Sequence, residues 1–217
     1  MPTPAAYKAP FFCNQHYHLV FKSIGGLLLF QNDLNRTFFL QRFSFYLAPV
    51  FISKAYCQLN NHVHLIIQVK QLEFLLQSIV AIPEETKTVS MKKLLQDIES
   101  PTLLDEMIER QVNRFMVSYT NSYNKAYKRA GGLFQSPFRR SAITGETHLQ
   151  QAIIYTHANA QKHGLTADYR TYQHSSYFEI VSGKYRFVDG LSVVNFFGGI
   201  KNFIEQHQLQ AAHYYVK

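Results

Sequence analysis

The sequence predicts an α+β fold: a split β-α-β core whose antiparallel sheet is covered by helices, continued by a C-terminal helical extension. Three observations predict it. β-rich runs and helical patterns alternate in the order β-α-β-β-α-β-α. Two of the β-rich runs are separated by Asn60-Asn61 alone, and asparagine tolerates positive φ, so a tight hairpin is expected there. Hydrophobic residues make up 47% of the chain, with 18 Phe and 14 Tyr, which supplies a packed interior and excludes a disordered or collagen-like chain.

The first strand is expected over Gln15 to Lys22, followed by a break at Gly25-Gly26 and an aromatic-rich helix from Leu34 to Ala48 that Pro49 ends. Val50 to Leu59 and His62 to Val69 form the hairpin strands. Helical segments follow at Leu72–Ile82 and Val89–Glu99, punctuated by Pro83 and Pro101, and then a long helix from Leu104 to Ala130 closed by Gly131-Gly132. Phe138 to Ile143 reads as a short strand, and Thr147 as the N-cap of a helix that runs to Lys162 and stops at Gly164. One more helical pattern spans Ser192 to Gln208. This succession is that of ferredoxin-like and RRM-like domains.

Twenty-two Lys and Arg against 14 Asp and Glu give a formal charge of +8, which favours polyanionic partners, nucleic acid first among them. The sign is sorted along the chain. Eight acids and three lysines fall between Glu73 and Glu109, whereas Arg110 to Gly145 carries Arg110, Arg114, Lys125, Lys128, Arg129, Arg139 and Arg140 and no carboxylate. That basic stretch is as compatible with a phosphate-binding surface as with a solvated face. Arg139 and Arg140 alternate across their strand, so one of them is expected to face any site there. Phe115, Tyr119, Tyr123 and Tyr127, spaced by four, share one helix face, for which core packing is favoured over base stacking.

Cys13 and Cys57 lie far apart with no CxxC, which argues against a zinc ribbon or a disulfide framework and fits a reducing cytoplasm. No basic-then-apolar leader and no run of ~20 apolar residues is seen, so neither secretion nor membrane insertion is expected. The absence of G-x-x-x-x-G-K-[ST] points away from a nucleotide cofactor.

His62-Val63-His64 opens the second hairpin strand, where alternate residues share a face and both imidazoles can converge on one metal ion. With ten histidines the pattern arises easily by chance, and His16-Tyr17-His18 repeats it, so spacing alone favours structural histidines. Tyr155 and Asn159, at i and i+4, place a phenol and an amide on one helix face, although most helical tyrosines are packing residues.

Taken in order, Tyr56-Cys57-Gln58-Leu59-Asn60-Asn61-His62-Val63-His64-Leu65, then Gly132-Leu133-Phe134-Gln135 with Pro137-Phe138, then Tyr155 to Asn159 continuing through Gln161-Lys162-His163-Gly164-Leu165, and finally Ser175-Ser176-Tyr177, these motifs span nearly the whole chain. In that order they resemble the single-tyrosine HUH transposases of the insertion-sequence-200 type, and more closely the REP-associated tyrosine transposases. The chain departs from the pattern at Asn60 and Ala160, where that family commonly has proline, and at His174, where it usually has tryptophan; none of these removes a catalytic group.

The resemblance implies a catalytic domain over residues 11–165, with 72–109 as an acidic helical insertion, and a C-terminal extension over 166–217 packed on it. It implies a metal-dependent DNA strand transferase in which Tyr155 attacks a backbone phosphorus of single-stranded DNA, structured ends such as hairpins being the natural target, to leave a 5′-phosphotyrosine and a free 3′-hydroxyl. His62, His64 and the Asn159 oxygen would hold a divalent ion, Mg²⁺ or Mn²⁺, and the basic set from Arg110 to Arg140 would track the DNA backbone. A homodimer and association with the nucleoid are compatible with this reading. Two alternatives stay open: a noncatalytic binder of structured nucleic acid in which Tyr155 is packing, and a metal-dependent nuclease that uses water.

Overall fold

The computed structural model describes residues 8–215. Its centre is a four-stranded antiparallel sheet in the order β2-β3-β1-β4, built from β1 (His16–Lys22), β2 (Phe51–Gln58), β3 (His62–Val69) and β4 (Arg139–Ile143). Side chains alternate along β1: Tyr17, Leu19 and Phe21 are buried on one face, while His16, His18, Val20 and Lys22 occupy the other. The first face is covered by α1 (Asp33–Leu47) and α4 (Pro101–Ala126), with the Phe21 ring 6.3 Å from that of Phe39 and 5.6 Å from that of Phe115. On the second face lies α5 (Glu146–Lys162), packed against β2, β3 and β4. The arrangement is the expected α+β one, helices on both sides of an antiparallel sheet.

Several boundaries differ from the sequence reading, each for a local reason. Pro101 opens α4 rather than punctuating the segment before it, since its missing N–H costs nothing at a first turn, and the Ser100 hydroxyl caps the helix by accepting from Leu103 N. That helix ends at Ala126, before the glycines, because Lys128 adopts φ 49° and Arg129 N turns back to Asn124 O. Gly145 at φ 77° is the N-cap of α5, which leaves Thr147 inside the helix. The tail pattern is two helices, α7 (Gly190–Phe196) and α8 (Ile200–Tyr215), separated where Gly198 and Gly199 take φ of 75° and 114°. The short α6 (Ser176–Val181) precedes them and had no signature of its own. The remaining helices, α2 (Leu72–Val80) and α3 (Val89–Gln96), are each shorter than expected.

The Asn60-Asn61 hairpin is tight, with Leu59 N donating to His62 O at 2.8 Å, yet neither asparagine has positive φ. Tertiary hydrogen bonds hold the turn instead. Leu29 N donates to Asn60 O, Ser23 N donates to Asn61 O, and the buried Arg36 guanidinium donates to Gln58 O and to Asn60 Oδ1.

The C-terminal segment covers the exposed edge of β2, with Gln58 N donating to His174 O and Asp189 N to Ser53 O. Lys54 sits at the register shift between Ser53 and Ala55 and pairs with Asp189 at 3.2 Å. Among the described residues no helix is long and apolar enough to cross a membrane.

The aromatic stripe on α4 is core packing with polar tethers. Phe115, Tyr119 and Tyr123 are buried, Tyr119 Oη donates to Leu29 O and Tyr123 Oη to Leu28 O, both at 2.8 Å, and only Tyr127 reaches the surface. These bonds fix the loop between β1 and α1. Tyr119→Phe removes one hydroxyl and leaves a buried carbonyl without its donor, so chemical denaturation is expected to show a loss of about 1–2 kcal/mol with an unchanged m-value.

Candidate active site

Antiparallel pairing sets the composition of the second sheet face. Lys22 lies opposite His62 and Val20 opposite His64 across β1 and β3, while Arg139 lies opposite Val20 and Ser141 opposite His18 across β1 and β4. Directly paired residues point the same way, so these side chains converge on one side of the sheet. Helix α5 brings Tyr155 and His163 over them, and together they enclose a cavity of about 390 Å³ lined by His18, Val20, Lys22, His62, His64, Arg139, Ser141, Tyr155 and His163. No carboxylate lines it among the described residues.

The half-buried Tyr155 ring stands edge-on to two imidazoles, 5.8 Å from that of His64 and 6.1 Å from that of His18. Tyr214 of α8 packs against it at 5.3 Å, and Lys162 Nζ lies 4.7 Å from its ring centre. The His62 ring is 5.0 Å from that of His64 and 5.1 Å from that of His163.

Hydrogen bonds engage the Nδ1 atoms of both histidines of the His62-Val63-His64 motif. His62 Nδ1 is 2.7 Å from Asn61 Oδ1, an oxygen that can only accept, so Nδ1 carries the proton and Nε2 keeps its lone pair. His64 Nδ1 is 2.8 Å from His18 Nε2. Burial is the main reason these rings stay neutral. It pushes His62 down to about 4, helped by electrostatic repulsion from His163, Lys22 and Arg139, and it pushes His18 down to about 4, helped by His148. His64 is held well below the usual histidine range by burial and then by His18 and His62.

Asn159 is fully buried and does not line the cavity. Its Nδ2 donates to Tyr155 O at 2.7 Å, and its Oδ1 has no hydrogen-bond partner among the described residues. A buried, unmatched oxygen on the helix that carries Tyr155 is a group that could ligate a cation, although it does not itself open onto the cavity. No three His, Cys, Asp or Glu side chains among the described residues are arranged to hold a metal ion, so an ion here would rest on His62, His64, the Asn159 amide and nonprotein ligands.

The basic residues from Arg110 to Arg140 do not form one surface. Arg139 is exposed at the cavity. Arg140 points to the opposite sheet face, where its guanidinium pairs with Asp105 and Glu109 at 3.2 Å each. Arg110 and Arg114 line a separate groove of about 1020 Å³ beside α3 and α4, where Arg110 pairs with Glu106. Arg129 donates to Asn124 Oδ1 and to the carbonyls of Gly131 and Gly132, while Lys125 and Lys128 are exposed at the end of α4.

Sequence reasoning missed His18, Lys22, Ser141 and His163 as cavity residues and Lys162 and Tyr214 as neighbours of Tyr155. His16-Tyr17-His18 and Lys162-His163 were visible as motifs, but only strand register and helix placement show that His18 and His163 reach the cavity.

No family model and no curated protein matches the chain. A solved structure that resembles it is that of a REP-associated tyrosine transposase bound to a REP hairpin, 14% identical, covering 83% of this chain and 88% of that one with a TM-score of 0.52. What the two chains share is the fold.

The rotation of α5 that presents Tyr155 is held by a buried chain of hydrogen bonds. His207 Nδ1 donates to Phe203 O at 2.7 Å; His157 Nδ1 is then the donor to His207 Nε2, and His157 Nε2 the acceptor for Ser176 Oγ, both at 2.8 Å. Tyr56 N in turn donates to Ser176 Oγ. The chain is complete only with both imidazoles neutral. Burial pushes His207 down to about 4, and burial followed by the neighbouring His207 pushes His157 down as well. Since the folded values lie below the unfolded one, their contribution is full above about pH 6.5 and is lost as pH falls toward 4. Denaturation across that window is expected to show falling stability, and His207→Gln should flatten the slope by about one proton.

Proposed function

We propose that this chain is a DNA strand transferase that cleaves and rejoins single-stranded DNA at hairpin-bearing ends. The Tyr155 oxygen attacks a backbone phosphorus, the bond from phosphorus to the 3′ oxygen breaks, and the proton lost by the phenol is balanced by the one taken up by the leaving 3′ oxygen. The products are a 5′-phosphotyrosine and a 3′-hydroxyl, and attack by a 3′-hydroxyl on that linkage rejoins the strand. The observation that carries this reading is that Tyr155 faces the His62–His64 pair across a cavity that contains Lys22 and Arg139 and, among the described residues, no carboxylate. Such a wall attracts a phosphodiester and does not repel the charge that builds on its oxygens.

His62 Nε2, His64 and the Asn159 oxygen are the groups suited to a divalent ion, Mg²⁺ or Mn²⁺, which when bound would neutralise charge on the phosphoryl oxygens. The protein's own side chains do the rest. Lys22 and Arg139 favour the backbone phosphate in the cavity, Lys162 holds positive charge against the Tyr155 ring, and the packing of Tyr214 and the α5 hydrogen bonds keeps the phenol in place. A single strand suits such a site because it can bring one phosphate to a fixed phenol without first being unpaired.

Incubation with a labelled library of single-stranded hairpins and Mn²⁺, followed by denaturing electrophoresis, tests the proposal. Wild type is expected to give a covalent adduct on the peptide containing Tyr155, and Tyr155→Phe to fold normally and give none. Cleavage by Tyr155→Phe with free 5′ ends would make water the nucleophile, and binding without any adduct in wild type would leave a noncatalytic binder. For affinity, Arg139→Glu should weaken single-strand binding and reduce its salt slope by roughly 0.7 for one lost phosphate contact. Lys93→Glu, in the separate groove, should leave that slope unchanged.

A further inference from the structure

We propose that His18 is a positioning residue that fixes the tautomer of His64, so that His64 offers a nitrogen lone pair, and not an N–H, to the cavity. The proposal rests on the reading of the cavity as a phosphoryl-transfer site, and its test is separable from DNA cleavage.

His18 on β1 pairs with Ile66, and His64 on β3 pairs with Val20, so the two histidines are diagonal neighbours on one sheet face. Their rings stack at 5.0 Å with planes 28° apart, and His18 Nε2 lies 2.8 Å from His64 Nδ1. One proton sits between these two nitrogens. A neutral imidazole has one N–H, so the side on which that proton rests decides what Nε2 of His64 can do. On His64 Nδ1, it leaves Nε2 as a lone pair able to ligate a cation. On His18 Nε2, it makes His64 Nε2 an N–H donor that cannot.

Two features of the cavity favour the first state. Lys22 and Arg139 line it, and their positive field stabilises a lone pair directed into the cavity over an N–H. His62, with its ring 5.0 Å from His64, is already held in the same tautomer by Asn61 Oδ1, so the two motif histidines would present like nitrogens. The arrangement is an imidazole braced through its second nitrogen, as metal-binding histidines are. His16 shares the His18 face but sits two residues farther along β1, opposite Gln68 and Ile143, and so braces neither histidine of the pair.

Long-range ¹H–¹⁵N NMR of the metal-free protein at neutral pH reads the tautomer directly. Wild type is expected to show His64 protonated at Nδ1, His18→Phe to lose that preference, and His18→Gln, whose amide oxygen can accept in place of the ring nitrogen, to restore it. Mn²⁺ titration followed by electron paramagnetic resonance is expected to show affinity reduced about 10–100-fold in His18→Phe and largely recovered in His18→Gln. A wild-type His64 with its proton on Nε2, or an unchanged His64 tautomer in His18→Phe, would overturn the proposal. If His18→Phe fails to fold, the wild-type and His18→Gln tautomers still decide it. Failure of wild type to bind Mn²⁺ with the expected tautomer present would remove the metal from the proposed function and leave the role of His18 intact.

Discussion

The register between β1 and β3 is the constraint on which the rest of the molecule depends. Both faces of this sheet are covered, so each strand must send alternate side chains into two different environments. Tyr17, Leu19 and Phe21 enter the aromatic interior beneath α1 and α4, which leaves His18, Val20 and Lys22 for the α5 side. A slip by one residue would exchange these sets, placing a lysine among the phenyl rings and leaving phenyl rings where the imidazoles now converge. The cost of that exchange holds His18 against His64 and Lys22 beside His62.

Packing several imidazoles under a helix requires that they stay neutral and hydrogen-bonded. Each ring nitrogen engaged by a neighbour satisfies a polar group and also orients the ring. Asn61 does this for His62, His18 for His64, and the carbonyl of Phe203 for His207. Two separate histidine groups result, one open to the cavity and one sealed between α5, α6 and α8. The sealed group bonds α5 to β2 and α8, and Tyr155 lies on α5 two residues from His157. The same desolvation that makes the sealed group acid-sensitive gives the helix a defined rotation.

Charge that is sorted along the chain is redistributed by the fold. The acidic stretch and the basic stretch meet within α4, and Asp105 and Glu109 of the first take up Arg140 of the second, which is buried. Arg129 is absorbed into the turn after α4. Arg139, one residue from Arg140, reaches the cavity because a strand alternates. A run of cations in sequence therefore becomes a cavity charge, a buried ion pair, a turn brace and a separate groove.

The sequence by itself determined the order of the four strands and of the helices α1 to α5, the two-residue hairpin, the sharing of one face by His62 and His64, and the presence of Tyr155 and Asn159 on one helix. These follow from the periods of two and 3.6 that the backbone imposes locally. It also showed that the ring stripe on α4 suits a core. Tertiary structure alone decided which histidines meet, since His18 and His64 lie 46 positions apart and only strand pairing brings them to 2.8 Å. It likewise decided that Arg140 is internal, that Gly145 and not Thr147 caps α5, and that Asn159 is buried with its oxygen unmatched among the described residues. Local periodicity says which way a side chain points relative to its neighbours, but what it points at depends on contacts made by residues far away in the chain.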